Sequence, residues 1–410
     1  MPSPQFSDLG VPAAACDLLA GRGITEAFPI QAAAIPPALA GKDVCGKAPT
    51  GSGKTLAFGI PLAERVRRAR PARPRALILA PTRELAAQIH DELRPLLAAK
   101  KRSIGAFYGG VSFVPQLKQL RRGVDVAVAC PGRLADLVRR GNLYLDEVEV
   151  VVIDEADRMA DMGFLPEVRR ILDAVRPDRQ TLLFSATLDG DVDVLIKRYQ
   201  QNPERCEVVA DEDEIDRTTH HFVDSKRDQR VGVTAGLVAK HGATVVFCRT
   251  KHGADRVAQQ LQRSGVSAVA IHGGRSQAQR DRALASFAAG KVDALVATDV
   301  AARGIHVDNV GCVVHFDLPG DHKDYVHRSG RTGRAGASGV VVSLVTETDV
   351  AKVRQLQRAL AMPLHPSPAS SPKAPSSHSP SSHSPNRPRP QARTPRRGGP
   401  AQRRRGQSTR

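Results

Sequence analysis

Tryptophan is absent from the 410-residue sequence, and aromatic residues make up only 4% of it. Because unpaired bases stack on aromatic side chains, this scarcity argues against sequence-specific reading of a single-stranded nucleic acid. Long hydrophobic runs are also missing, since no apolar stretch approaches the roughly 18 residues of a membrane span. The first five residues form no basic and apolar signal segment. We therefore expect a cytoplasmic protein without a membrane partner.

The six cysteines lack the spacing of a metal or redox site, because no C-x-x-C pair and no His pair at zinc spacing accompanies them. Scattered thiols of this kind indicate reduced core residues of a cytosolic protein. They lie at Cys16, Cys45, Cys130, Cys206, Cys248 and Cys312.

Acidic residues are outnumbered, because 42 Asp and Glu against 60 Lys and Arg give a net charge of +18. This excess indicates a polyanionic partner. Residues 363–410 supply +10 of it, through nine Arg and one Lys with no acidic residue. This tail is dominated by Pro, Ser and Arg and has little apolar surface to bury, so it should be disordered. It is either a nucleic-acid-binding arm or a solubilising extension.

Short runs rich in Val, Leu and Ile alternate with helical patterns in both halves of the chain, which predicts parallel sheets buried on both faces. A polar, acidic stretch at 205–220 predicts a linker between them. We therefore expect α/β domains at 1–204 and 221–362, followed by the tail at 363–410. The predicted strands are 44–45, 76–79, 124–128, 148–153 and 181–184, then 244–247, 266–271, 294–297, 310–316 and 339–345.

A glycine-rich loop follows the first predicted strand and precedes a helical pattern, as in a phosphate-binding P-loop. Glycine lets backbone N–H groups surround phosphate oxygens, and the helix N-terminus adds positive potential. Lys54 can reach the β and γ phosphates, and the Thr55 hydroxyl can hold Mg²⁺. Ala48 replaces the first glycine of the pattern, and the alternative is a flexible Gly/Ser loop without a ligand. The predicted nucleotide-binding residues are Thr50, Gly51, Ser52, Gly53, Lys54 and Thr55.

Two carboxylates, Asp154 and Glu155, directly follow a buried Val/Ile strand. Beside a P-loop, one such carboxylate orders Mg²⁺, partly through water, and the next polarises the attacking water. We therefore predict magnesium binding for Asp154 and catalysis for Glu155 together with Lys54. The alternative is that the pair only caps the following helix.

The letters of Asp154-Glu155-Ala156-Asp157 complete a resemblance to the DEAD-box ATP-dependent RNA helicase family, which runs from Phe6 to about Met362. Some nine motifs occur in the order and spacing of that family. The resemblance implies an α/β fold of two tandem RecA-like parallel-sheet domains joined by a linker. It also implies ATP and Mg²⁺ as cofactors and RNA as the partner. The Arg-rich tail resembles that of a compact bacterial member.

The stretch from Gly23 to Gln31 resembles the Q motif of the family, and Phe6 lies seventeen residues ahead of it. The resemblance implies that Phe6 stacks on adenine and that Gln31 reads its edge, which would favour ATP over GTP. Ala27 and Phe28 replace the usual Pro-Thr, so a local hydroxyl is lost. Taken alone, Phe6 would be interpreted as a hydrophobic staple on the first helix.

In the second half, residues 297–305 and 327–334 resemble two further family motifs. The resemblance implies that Gly304 contacts ATP, whereas His306 stands where the family places a ribose-contacting aspartate. Arginine fingers from this half would reach the phosphates held by the first half, and the alternative is a solvated basic face. The implied catalytic residues are His327, Arg331 and Arg334.

One RNA groove across both domains is also implied, in which backbone N–H groups and Arg and Thr side chains hold phosphates without reading bases. Contacts to 2′-hydroxyls would select RNA over DNA. The implied RNA-binding residues are Pro81, Thr82, Arg83, Gly109, Gly110, Pro131, Gly132, Arg133, Arg249, Gly273 and Thr298. The residues implied to couple the ATP site to domain movement are Ser185, Ala186, Thr187 and Asp157, for which the alternative is an ordinary polar turn.

The leading hypothesis is a monomeric RNA-dependent ATPase that closes its two domains on single-stranded RNA and locally separates short duplexes, largely independent of sequence. An ATP-gated RNA clamp that serves as a scaffold is a second hypothesis, and a tail-driven RNA annealer is a third. The motif spellings favour RNA over DNA as the substrate. Proteins of ribonucleoprotein particles or of RNA decay are candidate further partners.

Overall fold

The computed structural model describes residues 3–49, 51–208, 218–302, 310–333 and 338–363. Within these residues the chain forms a seven-stranded and a six-stranded sheet. Every strand pair in both sheets is parallel. The predicted α/β class with two parallel sheets is therefore confirmed, whereas the tail at 364–410 lies outside the described residues.

The first sheet lies in the amino-terminal half, after a short 3-10 helix at Phe6–Leu9. Its strands are β1 (Val44–Lys47), β2 (Ala76–Leu79), β3 (Ile104–Phe107), β4 (Val126–Ala129), β5 (Val150–Asp154), β6 (Gln180–Ser185) and β7 (Glu204–Glu207). The helices of this half are α1 (Ala13–Ala20), α2 (Pro29–Leu39), α3 (Lys54–Arg65), α4 (Arg83–Ala99), α5 (Phe113–Arg122), α6 (Pro131–Arg139), α7 (Ala156–Asp161), α8 (Leu165–Asp173) and α9 (Asp191–Tyr199).

The second sheet lies in the carboxyl-terminal half, which also contains a 3-10 helix at Glu347–Asp349. Its strands are β8 (Thr218–Asp224), β9 (Thr244–Phe247), β10 (Ala268–Ile271), β11 (Ala294–Ala297), β12 (Cys312–His315) and β13 (Gly339–Val345). The helices of this half are α10 (Arg230–His241), α11 (Lys251–Arg263), α12 (Gln277–Ala288), α13 (Asp299–Ala302), α14 (His322–Ser329) and α15 (Val350–Ala359).

Strand β5 shows why these sequences form sheets that are buried on both faces. Val150 and Val152 join one hydrophobic cluster, whereas Val151 and Ile153 join the other. Successive strand residues point to opposite faces, so an uninterrupted Val/Ile run fills both clusters at once. The helices that follow the strands cover these faces, which leaves the strand ends for ligands.

The strand order separates the predicted RNA-binding loops of the first sheet from the predicted nucleotide-binding loops. The order is β3-β4-β2-β5-β6-β1-β7. The loops after β2, β3 and β4 carry the residues predicted to bind RNA, whereas those after β1, β5 and β6 carry the P-loop, the DEAD residues and the coupling residues. Because all strands run parallel, these loops emerge at one edge of the sheet. The order thus places the two predicted sites side by side.

The predicted linker at 205–220 is longer than the structure allows, because parts of it belong to edge strands. Strand β7 pairs with β1, and β8 pairs with β13. Three of the four residues of β7 are exposed and charged, so the strand lacks the apolar run on which the prediction relied. Strand β3, which the sequence did not predict, is similarly short and contains Gly105. Residues 209–217 lie outside the described residues.

No helix in the described ranges is long and apolar enough to cross a membrane. All six cysteines are unpaired, and five of them are buried, in agreement with the predicted core thiols. Burial raises the pKa of Cys45 to about 11, so this thiol is held protonated at neutral pH.

Asp125 fixes the half of the first sheet that carries the predicted RNA-binding loops, which is formed by β2, β3 and β4 and is called the RNA half below. This carboxylate is buried and precedes β4, and it accepts hydrogen bonds from the Ala69 amide at 2.6 Å and from the Ser103 amide at 2.7 Å. The Ser103 hydroxyl donates a third hydrogen bond over 3.1 Å. Ser103 precedes β3, so one side chain sets where two neighbouring strands begin.

Replacing Asp125 with Ala should therefore lower the free energy of unfolding by about 2–4 kcal/mol, because three hydrogen bonds to a buried charged acceptor are lost together. Urea unfolding followed by circular dichroism measures this loss. The matched control is Asp189→Ala, whose side chain is exposed and which should change stability by less than about 0.5 kcal/mol. Equal stability of the two variants would contradict the role of Asp125.

Candidate functional site

The P-loop wraps the N-terminus of α3. Gly53 is the N-cap of this helix and has a φ of 84°, in the left-handed region that favours glycine. A Cβ atom there would also overlap the Gln31 amide and lie 2.7 Å from Cδ2 of Phe28. The Ser52 hydroxyl donates to the Pro49 carbonyl at 2.8 Å. Thr50 lies outside the described residues. Gly51 lies in the loop before α3, and Thr55 is the second residue of that helix.

Lys54 points back into the loop. Its Nζ donates to the Ala48 carbonyl at 3.0 Å and to the Pro49 carbonyl at 3.2 Å, and the side chain is buried. The ammonium group therefore lies in the concave side of the loop, where phosphate oxygens would be surrounded by backbone N–H groups. Ala48, the departure from the glycine pattern, is buried and takes part through its backbone carbonyl.

Asp154 and Glu155 lie at the end of β5, and both are buried. The pKa of Asp154 is raised to about 7, chiefly by burial; Lys54 lowers the pKa and Glu155 raises it. Glu155 has a φ of 52°, a rare conformation for a side chain other than glycine. Its Oε2 is buried and has no hydrogen-bond partner among the residues that the structure describes. A carboxylate oxygen in such a position is a natural acceptor for a water molecule.

The chemistry of these residues fits a divalent cation. A desolvated carboxylate with a raised pKa and a nearby carboxylate gains most from a bound positive charge. Among the described residues no group of three or more His, Cys, Asp or Glu side chains could hold a metal ion alone. Mg²⁺ commonly uses one or two carboxylates together with phosphate oxygens and water, so Asp154 and the Thr55 hydroxyl would be the protein's contribution to such a site.

Ser185 connects the P-loop to the DEAD residues. Its hydroxyl accepts a hydrogen bond from the Asp157 amide at 3.2 Å, and its carbonyl accepts one from the Ala48 amide at 3.0 Å. The residue is completely buried at the end of β6. Ala186 and Thr187 follow it and are partly exposed. A movement of the residues that follow β6 would thus displace both the P-loop and the DEAD residues.

The Q-motif residues are more buried than the sequence suggested. Phe6 is 2% exposed and packs in the hydrophobic core, the position that the alternative interpretation gave it. Gln31 is 1% exposed. Its Oε1 accepts from the Phe28 amide at 2.9 Å, and its Nε2 donates to the Gly53 carbonyl at 3.0 Å. In this structure Gln31 therefore ties α2 to the P-loop.

Arg83 and the glycine pair form one cradle on the RNA half. A Cβ atom on Gly110 would collide with the guanidinium of Arg83, and Gly110 has a φ of 76°. Gly109 lies beside the same guanidinium. Thr82 caps α4 by accepting from the Leu85 amide at 3.3 Å, directly after Pro81. The predicted residues of two separate loops are thus brought together.

Arg133 lies at the start of α6, near the same edge. Its guanidinium carbon lies 3.9 Å from the centroid of the Phe113 ring, and its Nη2 donates to the Val111 carbonyl at 3.2 Å. Pro131 is the first residue of α6, and the space around Gly132 is open. An oriented cation beside an open backbone is suited to a phosphate group.

The second domain presents its predicted RNA residues after β9, β10 and β11, which are also neighbours in their sheet. The backbone amide of Arg249 donates to Asp317 at 2.8 Å. Arg249 is an exposed residue. Gly273 is exposed beside the stem of Lys251. Thr298 is buried at the end of β11. The arrangement repeats that of the first domain.

A cavity joins the DEAD helix α7 to the motif at the end of α14. Arg331 is 5% exposed there. Arg328 donates to the two carboxylate oxygens of Asp299, from Nε at 2.5 Å and from Nη2 at 2.7 Å. The cavity is lined by Arg158, Phe247, Asp299, Ala302, Asp324, His327, Arg328 and Arg331. Arg331 and His327 are thus placed beside the helix that carries Asp157. Gly304, His306 and Arg334 lie outside the described residues.

Contacts between the two domains involve residues that the sequence did not nominate. Glu84 forms an ion pair with Arg280 at 2.8 Å, and both side chains are less than 10% exposed. Gln277 donates to Glu84 at 3.1 Å and accepts from Arg83 at 3.4 Å. Gln277 and Arg280 are three residues apart on α12, so they share one face. The spacing of the two residues was visible in the sequence. The contact of Gln277 with Glu84, 193 positions away, was not.

Comparison with known proteins assigns both halves. Residues 28–195 match the family described as DEAD/DEAH box helicase, and residues 225–336 match the helicase conserved C-terminal domain. An RNA helicase named CshA from Geobacillus kaustophilus is 39% identical over 86% of this chain and 76% of its own length. The chain belongs to the DEAD-box RNA helicase family.

Other members show the same likeness with different lengths. A mitochondrial DEAD-box RNA helicase 9 from Arabidopsis thaliana is 42% identical over 86% of this chain but only 59% of its own length. This DEAD-box chain thus spans about half to two thirds of the first curated relatives. The structure of S. cerevisiae Dbp5 bound to RNA and ADP-BeF3 has a TM-score of 0.77 at 28% identity, over 86% of this chain and 93% of Dbp5.

Replacing Arg280 with Ala should lower RNA-stimulated ATP turnover at least about tenfold, because Glu84 would keep a buried charge without its partner. Turnover without RNA should stay within twofold, since the P-loop is untouched. Steady-state ATPase assays across an RNA titration measure both. Arg282→Ala, on the exposed face of the same helix, is the matched control. The same RNA response in both variants would contradict a role for the interdomain pair.

Proposed function

We propose that the chain is an RNA-dependent ATPase that uses ATP to close its two domains on RNA and to separate short duplexes locally. The observation that carries this proposal is the cavity in which Arg331 of the second domain lies beside Arg158 of the DEAD helix. This cavity places the motif of the second domain beside the helix whose N-cap is Glu155, the predicted catalytic carboxylate of the first domain. Family membership supports the same activity.

Hydrolysis divides its tasks between the domains. Lys54 and the backbone of the P-loop would bind the β and γ phosphates, and Glu155 would orient the attacking water through its unpaired carboxylate oxygen. Bound Mg²⁺ supplies charge neutralisation at the phosphates, held by Asp154 and Thr55. Arg331 would stabilise the charge that develops on the transferred phosphoryl group, an effect worth about 10³–10⁵ in rate. Arg334 is proposed as a second finger on the basis of the motif alone.

RNA would favour the closed arrangement because each domain contributes half of its binding surface. Arg83 and Arg133 lie on the first domain, and Arg249 lies on the second. Arg83 also contacts Gln277 of the second domain, so RNA phosphates and the interdomain contacts meet at one place. A groove of cations and backbone N–H groups binds the nucleic acid backbone without selecting a sequence.

Local strand separation follows from closure on one strand. A base-pair step is worth about 1–2 kcal/mol, so bending a few nucleotides can release a short complement. The ATP-gated clamp makes the same contacts but releases no complement. A strand-displacement assay with a short tailed duplex separates the two activities.

The metal, the oligomeric state, the role of the tail and the cellular location are further parts of the proposed function. We propose that Mg²⁺ is the metal, that the chain acts as a monomer, and that the tail at 363–410 adds affinity for the RNA backbone through its positive charge. The cytoplasmic location stays a prediction. Relatives with mitochondrial and chloroplastic names show that location varies within the family.

Replacing Glu155 with Gln should abolish ATP turnover while RNA retention in the presence of ATP persists, because the amide keeps the shape but cannot polarise water. The dissociation rate of a fluorescent single-stranded RNA, measured with and without ATP, provides the readout. Lys54→Ala is the control and should lose both turnover and ATP-dependent retention. Fast RNA release by Glu155→Gln in the presence of ATP would remove Glu155 from its proposed role.

A further inference from the structure

The edge of the first sheet at which its strands begin is strongly basic. Residues 66–75 precede β2, residues 100–103 precede β3, and residues 118–123 form the end of α5 shortly before β4. These three segments, called the basic edge below, contain eleven Lys and Arg and no Asp or Glu. Because the strands are parallel, the basic edge lies opposite the edge at which the predicted RNA and nucleotide loops emerge. The proposed function therefore leaves this charge unexplained.

Hydrogen bonds join the three segments into one surface. The Ala72 amide donates to the Leu120 carbonyl at 2.8 Å, which ties the first segment to the third. Nε of Arg102 donates to the Val66 carbonyl at 3.1 Å, which ties the second segment to the first. The buried carboxylate of Asp125 accepts from amides of the first and second segments. The cations of the basic edge are thus held on one connected backbone.

Neighbouring carboxylates neutralise only part of the basic edge. The ion pairs are Arg67–Glu149, Arg70–Glu147, Arg73–Asp146, Arg75–Glu147 and Lys100–Glu64. Five exposed cations form no ion pair with any residue that the structure describes, namely Arg68, Lys101, Lys118, Arg121 and Arg122. Like charges held on one surface create a positive potential that attracts a polyanion.

The exposed surface of the basic edge suits a nucleic acid backbone better than a protein. Protein partners are held mainly through a desolvated core of aromatic and other apolar side chains. Val66 and Leu120 are buried, and the exposed residues other than the cations are Pro71, Ser103 and Gln119. Phosphate groups need no apolar core, and the guanidinium fork of arginine matches their oxygens with two donors.

We propose that the basic edge binds the phosphate backbone of an RNA segment that extends beyond the groove formed by the two domains. This inference rests on the proposed RNA-dependent function and adds a second contact surface to it. The four-residue strands alone separate the two edges by roughly 13 Å, so RNA bound here lies outside the groove. Because all three segments belong to the first domain, this contact does not require ATP or closure. It would keep the first domain on the RNA when the domains part.

Fluorescence anisotropy with the full chain, without nucleotide, tests the inference with two single-stranded RNA probes. One has about 30 nucleotides, roughly 100 Å of strand, and the other has about six, roughly 20 Å, which is too short to fill the groove and pass around the sheet. Replacing Arg68, Arg121 and Arg122 together with Gln should weaken binding of the long probe at least about tenfold at low salt. The slope of log affinity against log salt concentration should fall by about 2, because each phosphate contributes about 0.7.

The matched control removes the same charge from another part of the first domain. Arg170, Lys197 and Arg198 are exposed on α8 and α9, away from the basic edge. Replacing these three residues with Gln should change the affinity for the long probe by less than twofold. Equal losses in both triple variants would show that net charge alone acts, and the inference would be wrong.

The short probe separates the basic edge from the groove. Its affinity should stay within twofold in the variant of Arg68, Arg121 and Arg122, and replacing the same residues with Lys should preserve binding of the long probe. Equal losses for the two probes, or an unchanged affinity for the long one, would overturn the inference. Failure of the proposed function would appear differently, as ATP turnover by the wild type that no RNA stimulates.

Discussion

The charge of a bound triphosphate sets the central constraint on this molecule. Lys54 and the P-loop supply positive potential from one sheet, and Arg331 can supply it only from the other. A guanidinium group is permanently charged and matches phosphate oxygens with two donors, so its arrival changes the rate far more than the affinity of the loop. Under the proposed function, hydrolysis would therefore depend on the arrangement of the two domains.

The sheets place the predicted RNA-binding residues where a bound strand would influence that arrangement. In the first domain the strand order puts the RNA half beside the nucleotide half, and Ser185 touches both the P-loop and the DEAD residues. The buried pair of Glu84 and Arg280 lies on the RNA side, next to Arg83. Under the proposed function, these contacts would couple RNA binding along this side to closure around ATP, without any recognition of the RNA sequence.

Much of this could be predicted from the sequence, because the decisive patterns are local. Val/Ile runs such as 148–153 specify strands buried on both faces, and a glycine loop before a helix specifies a phosphate site. The prediction was wrong where neighbours rather than patterns decide. The strand at Glu204–Glu207 is polar and exposed, so its pairing with β1 leaves no hydrophobic signature.

Contacts between distant residues were equally hidden. Glu84 and Arg280 each resemble ordinary charged helix residues, and only the fold buries them together. From the sequence, Phe28 could be interpreted only as the loss of the hydroxyl that the usual Thr carries. The structure shows that its ring lies against Gly53. Burial of Phe6 could be weighed as an alternative but not decided, since an aromatic residue before a helix suits both a core and a base.

The most direct test of the central claim is ATP turnover by the full chain carrying Arg331→Ala, measured at saturating ATP and RNA. If the second domain completes the site, turnover should fall about 10³-fold or more while ATP binding stays within a few fold. Turnover within tenfold of the wild type would show that the first domain hydrolyses ATP by itself, and the account of a composite site would be wrong.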